Sequence, residues 1–397
     1  MNSTLKQSLI KEFTHVSNLP ITLMIVDYNR PGSDFFQSLL DGHNQILQIP
    51  GNFIFHDIWD KIDFKIFSNI DLIFDFFIKD VNFKQKIFPK LNETEKWNQL
   101  GDNKNETIDF DFFKFKNYFF ETFYANTLSI NSKNIFLLLH LSFFKSMKYN
   151  ILNTSMLFYH IHRIDRLSRF QKDFKINKLL IMTRDIRDGI VSYIESRKTN
   201  YFHPASLTPP ILTYIQIYYL YNFQNLKVRI LPLENLHSNY NEAISNFCKD
   251  HSILKKQILF QSTFFGKKWW GDTWSKTDLN GFQRDFKAKQ KWKLKRYFKY
   301  EINIFNFLFF EIFKKFKFET NLNFNIFNIV LIGISIILPM KYEIKIFLHN
   351  IKHFKFHLIK YSLMHYLLRV KYMTIIFIKR IFKKPSNLNK MNFYVSY

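Results

Sequence analysis

The 397-residue chain has one cysteine, Cys248, so an internal disulfide framework is excluded and a reducing compartment fits. Cys248 itself reads as a small core residue on a helix. Glycine is scarce, with nine residues against 49 phenylalanines, far from average usage. Phe, Ile, Lys, Asn and Tyr share AT-rich codons, so the aromatic surplus reads as genome bias and carries no functional signal. Carboxylates are few: 32 acidic residues face 57 Lys and Arg, a net charge of +25. The apolar run Phe327 to Met340 counts 14 residues, is broken by Asn328, Gly333, Ser335 and Pro339, and falls short of the roughly 20 that a spanning helix needs. The first 20 residues are polar and mixed, with Lys6, Lys11, Glu12 and His15 interrupting any apolar stretch, so no secretory signal is expected. No internal repeat is evident.

Two segments stand out. In Ile21 to Phe36 a short apolar run of strand type leads into Arg30-Pro31-Gly32-Ser33, and then into a helical pattern carried by Phe35, Phe36, Leu39 and Leu40 with Gly42 as its C-cap. Gly32 lets the backbone approach a ligand, and Ser33 opens a helix whose free N–H groups and positive dipole end suit a phosphate. Arg30 adds a fixed cation. The segment fails the Walker pattern, which argues against a standard NTPase or kinase. In Lys178 to Ser192 a second strand-type run ends in Arg184-Asp185-Ile186-Arg187-Asp188, and Ser192 follows Arg184 by eight residues, about two helical turns. There a guanidinium and a hydroxyl can converge on one phosphate. The same residues would also make two ordinary strand-turn-helix units with solvated arginines.

These residues resemble the sulfotransferase family, which uses 3′-phosphoadenosine-5′-phosphosulfate as donor. Arg30, Gly32 and Ser33 match the family's (Lys/Arg)-Ser-Gly-(Ser/Thr)-Thr loop. Arg184, Asp185, Arg187, Asp188 and Ser192 match its Arg-(Asp/Asn)-Pro-(Arg/Lys)-Asp motif and following serine. Pro31, Ile186 and Asp34 depart from it, and a carboxylate at Asp34 either points away from the ligand or weakens the site. Val228 to Leu236 is similar to the family's strand and "YEDL" turn, and Gln261 to Phe282 to a late loop of bacterial members that closes over the 3′-phosphate. The resemblance spans about residues 18 to 285. It implies an α/β fold, a parallel sheet flanked by helices on both faces, with donor contacts from Arg30, Gly32, Ser33, Phe35, Arg184, Ser192, Gly266, Lys267 and Lys268.

Sulfuryl transfer needs a base on the acceptor hydroxyl and a cation on the departing phosphate oxygen. Met156 to Arg163 alternates as a strand edge would, which puts His160 and His162 on one face. A histidine base occupies a comparable place upstream of the arginine motif in cytosolic members of the family. His162 is therefore the expected base, on a strand beside the Arg184 strand, with His160 next to the donor or as the alternative base. Glu195 and Asp165 remain candidates, since many members use a carboxylate. Arg30 takes the role of the family's lysine toward the leaving group. No metal is expected.

The charge is uneven. Residues 284–397 carry 23 Lys or Arg and 5 Asp or Glu, hence +18, which leaves +7 for the first 283. The expected division is a nucleotide-binding domain over 1–285 and a basic, aromatic-rich helical tail over 286–397. Basic residues among apolar ones suit a helix on an anionic membrane surface. A buried helical cap is the alternative, and nucleic-acid binding is disfavoured because no recognised module precedes the tail. The functional expectation is a sulfotransferase acting on a glycan, glycolipid or similar acceptor, in the cytoplasm or peripheral on the inner membrane face. The alternative is a non-catalytic or other nucleotide-binding protein at a membrane surface.

Overall fold

A computed structural model describes residues 2–26, 30–51, 53–108, 110–162, 166–197, 211, 228–273, 278, 281–282, 290–293, 297–320 and 325–382. The fold is α/β. Five parallel strands, β1 (Ile21–Val26), β2 (Ile46–Leu47), β3 (Met156–Ile161), β4 (Ile176–Thr183) and β5 (Val228–Pro232), form one sheet in the order β2-β3-β1-β4-β5. The strands read as near-continuous apolar runs because both faces are covered.

Alternate residues divide between two cores. Leu23, Ile25, Leu157, Tyr159, Leu179 and Ile181 pack on one face, where the helices Ser3–Ser17, Phe112–Ala125 and Ser132–Ser146 bury Phe13, Phe119 and Phe136. Met24, Val26, Phe158, Leu180 and Met182 pack on the other. There the helices Ser33–Leu40 and Tyr240–His251 bury Phe36, Leu39, Ile244 and Phe247, along with Cys248. Each such side chain stabilises the fold by roughly 1.5–3 kcal/mol of transfer free energy.

This order corrects one expectation. β3 lies between β2 and β1, and β1 separates it from β4, so the histidine strand is neither an edge nor the neighbour of the Arg184 strand. The chain leaving β1 turns toward β2 and β3, while the chain leaving β4 turns toward β5. The crevice between β1 and β4 is therefore the topological switch point, where open α/β sheets hold ligands.

Beyond residue 290 the helices Lys299–Leu308, Phe310–Phe316, Ile326–Ser335, Lys341–Lys352 and Phe356–Ile381 follow. They do not stand apart from the first 285 residues. Ile186, Ile190 and Val191, on the helix Ile186–Arg197 after β4, share a core with Trp292, Ile304 and Phe305. Arg187, fully buried, pins the two parts together. It forms a bidentate pair with Asp185 at 2.5–3.2 Å, donates to Asn306 Oδ1 at 2.7 Å, and faces the rings of Trp292 and Phe313 at 4.0 and 4.4 Å. Among the described residues no helix is long and apolar enough to cross a membrane.

Candidate active site

Beyond β1, Arg30 has a left-handed φ of 52°, the buried Pro31 follows, and the helix Ser33–Leu40 is entered through Gly32 at φ 80°. Only glycine suits Gly32. A Cβ there would lie 2.5 Å from Leu233 Cδ1, so the loop is pressed against the start of the helix Leu233–Ser238 that follows β5. Gly32 also supplies no side-chain cap, which leaves the first-turn N–H groups to the loop's own surroundings.

Asp34 in that first turn faces the sheet. One oxygen of Asp34 and one nitrogen each of His160 and His162 lie within 4.8 Å of one another. His160 and His162 meet directly, Nε2 to Nε2, at 2.8 Å, so one donates and the other accepts. Burial, the His162 imidazole and the Lys86 ammonium hold His160 well below its ordinary value, and burial and Lys86 bring His162 down to about 4. At neutral pH both rings are uncharged. Burial, with help from the Glu95 and Asp272 carboxylates and against Lys86 and Arg30, raises Asp34 to about 7. Of the two alternatives for Asp34, pointing away or weakening the site, the carboxyl does not point away from the other candidates: it is turned to the imidazole pair.

Lys86 comes from the helix Val81–Ile87, outside every segment singled out in the sequence. Only 3% exposed, it pairs with Glu95 at 2.9 Å and sits 4.6 Å from the Trp97 ring centroid. Arg30 donates to both oxygens of Asp272 at 3.3 Å. On the far side of β1, Arg184 leaves the end of β4 with its Nε 4.0 Å from Glu234 Oε1, and the same oxygen accepts from the Asp185 N–H at 3.1 Å. Burial raises Glu234 to about 7, with Arg184 opposing and Asp185 assisting. Each arginine of the two motifs that borders the crevice thus has a carboxylate beside it. Ser192 is half-buried on the helix Ile186–Arg197.

No protein-family model matches the chain, and no curated protein matches it.

Arg30, Gly32, Ser33, His160, His162 and Arg184 all lie at the carboxyl edge of the sheet, on or just beyond the ends of β1, β3 and β4. Other candidates are placed elsewhere. Phe35 is 4% exposed, stacked on His237 at 4.9 Å and edge-on to Phe282, and so is committed to packing. Gly266, Lys267 and Lys268 form the hairpin of β6 (Thr263–Phe264) and β7 (Lys267–Lys268). The Gly266 N–H donates to Asp41 Oδ2 at 2.7 Å, which puts the turn at the carboxyl end of the helix Ser33–Leu40, opposite Gly32. Lys267 pairs with Glu106 at 2.7 Å and Lys268 with Asp102 at 3.3 Å. A cavity of 20 Å³ beside Asp41, Tyr149 and Phe265 belongs to this far end and has room for about one water. Asp165 and the Glu195 side chain lie outside the described residues.

Two imidazoles and a carboxylate are also a donor set that transition metals accept. Lys86, which acts on all three groups, and Arg30, which acts on Asp34, oppose a further cation there. The chemistry this site offers most directly is an uncharged imidazole pair able to take a proton, with two arginines able to hold anions along the same sheet edge.

Proposed function

We propose that this chain is a sulfotransferase that moves a sulfuryl group from 3′-phosphoadenosine-5′-phosphosulfate to a hydroxyl or amine of a glycan, glycolipid or similar acceptor. One observation carries the reading. Arg30, the His160–His162 pair and Arg184 stand at the carboxyl ends of β1, β3 and β4, along one edge of the sheet and on either side of its switch point. In this reading the first-turn N–H groups after Gly32 and the Arg30 guanidinium hold the 5′-phosphate, and Arg184 with Ser192 holds the 3′-phosphate. His162, the more exposed of the pair, accepts the acceptor's proton while the acceptor oxygen bonds to sulfur. The bond from sulfur to the bridging phosphate oxygen breaks, and Arg30 stabilises the charge that collects there. Arg30 is always protonated, so it stabilises this charge without shuttling a proton. Below about pH 7 a protonated Asp34 donates to a phosphate instead of repelling it.

Calorimetry with 3′-phosphoadenosine-5′-phosphate and ADP tests the proposal. The bisphosphate is expected to bind at least about tenfold tighter, the order of one charge-assisted pair. Arg184→Ala is expected to abolish that preference with AMP affinity nearly unchanged. Equal affinity for the two nucleotides, or equal losses on substitution, would sink it. The Asp272 carboxylate on Arg30 favours a second reading, a nucleotide-binding protein without transfer activity. Tight bisphosphate binding, with no sulfate released from the donor over long incubation, would select that reading.

A further inference from the structure

The helix Ile326–Ser335 has no charged residue and is clothed on one side only. Its inner side is buried at Ile332 and continues to Ile336, and Gly333 lies so close to Phe377 that a Cβ would meet the ring at 2.8 Å. Its outer side presents Ile326, Phe327, Val330, Leu331 and Ile334, all at least 44% exposed and spaced i, i+1, i+4, i+5, i+8. That is a stripe at helical period on which nothing packs among the described residues. The long helix Phe356–Ile381, which supplies Phe377, turns outward Phe356, Lys360, Leu363, Leu367, Lys371 and Ile378. Of the thirty large apolar side chains exposed among the described residues, eighteen come from residues 326–382. Patches of this kind mark contact with a partner or a membrane.

Charge chooses between them. Residues 326–382 hold nine Lys or Arg and a single carboxylate, Glu343, and that one is consumed internally. Arg369, 1% exposed, pairs with Glu343 at 2.7 and 3.0 Å and donates to the Ile336 and Leu338 carbonyls, which ties the helices together. The outward surface therefore has lysines without acids among its apolar residues. A second copy of this surface would bring like charges face to face. We infer that residues 326–382 form a docking surface for an anionic lipid bilayer, with the apolar stripe entering the headgroup boundary and Lys345, Lys352, Lys360 and Lys371 reaching lipid phosphates or carboxylates on their long stems. No part of this rests on the proposed catalytic activity.

The test is co-sedimentation of the full-length protein with vesicles of phosphatidylcholine alone or with 30% phosphatidylserine, at low and high salt. Binding to the anionic vesicles is expected at low salt, at least about tenfold weaker on neutral ones and weakened again by high salt. Phe327→Asp/Ile334→Asp alters only exposed positions and is expected to reduce binding at unchanged thermal stability. Lys345→Glu/Lys360→Glu/Lys371→Glu is expected to abolish the preference for anionic lipid. No binding at low salt, equal binding to neutral vesicles, or a dimer in sedimentation equilibrium that dissociates on Phe327→Asp/Ile334→Asp would each overturn the inference.

Discussion

Replacing Arg187 with leucine keeps apolar bulk between Trp292 and Phe313 and removes the charge. The partner left behind is Asp185, 3% exposed, which loses three N–H···O bonds of 2.5–3.2 Å, and Asn306 loses its donor at 2.7 Å. Breaking a buried pair from one side costs about 3–5 kcal/mol. A ceiling applies, because protonating an ordinary aspartic side chain costs about 4 kcal/mol at pH 7 and removes the stranded charge. The same ceiling falls to about 1.5 kcal/mol at pH 5. Urea unfolding followed by tryptophan fluorescence should therefore show Arg187→Leu less stable by about 3–4 kcal/mol at pH 7 and by roughly half of that or less at pH 5. Arg187→Leu/Asp185→Asn should recover most of the loss, since no charge is then stranded. A loss below about 1 kcal/mol at pH 7, or one that does not change between the two pH values, would refute the account of Arg187 as a buried electrostatic pin.

Gly32→Ala should destabilise the chain by roughly 2–4 kcal/mol, a left-handed residue with a Cβ plus the collision with Leu233; Leu233→Ala should relieve only the second part in thermal melts. Asp34, raised to about 7, is neutral below that pH and negative above it. Bisphosphate affinity relative to Asp34→Asn should therefore fall as pH rises through 7, and parallel calorimetric profiles of the two proteins would exclude Asp34 from the site. His162→Ala should lower sulfuryl transfer by roughly 10² to 10⁴ with donor affinity kept. Because His162 is held down to about 4, the acid limb of turnover should lie near pH 4 instead of the 6 to 7 of an unperturbed histidine, and a limb unchanged in His162→Ala would clear it of the role.

What was legible in the sequence was whatever repeats with a local period. The runs at 21–26 and 178–183 are strands, as is 228–232, which the family resemblance and not a period pointed to, and Phe36 and Leu39 mark the buried face of the helix Ser33–Leu40. The period of two that puts His160 and His162 on one face is what lets their rings meet at 2.8 Å. Contacts between distant positions leave no such trace. Arg30 and Asp272 are 242 residues apart, and nothing near either one announces the pair. The same holds for Lys86 beside the histidines, which lies far along the chain from both motifs. Order along the chain also misled about order across the sheet, because β1 slots between β3 and β4. Arg187 looked like one more motif cation, and only its neighbours from beyond residue 290 make it a core residue.

If the proposed function holds, Arg30 beside Asp272 and Arg184 beside Glu234 mean that an anion would enter this crevice by exchange. A carboxylate or chloride would replace one negative charge with another and bring the guanidinium no new charge. A phosphate dianion brings one more charge than the group it displaces, and a bisphosphate does so at both arginines at once. In the proposed function the carboxylates would then act as a threshold, quiet toward the abundant monoanions of a cell and open to ligands with two phosphate groups suitably spaced.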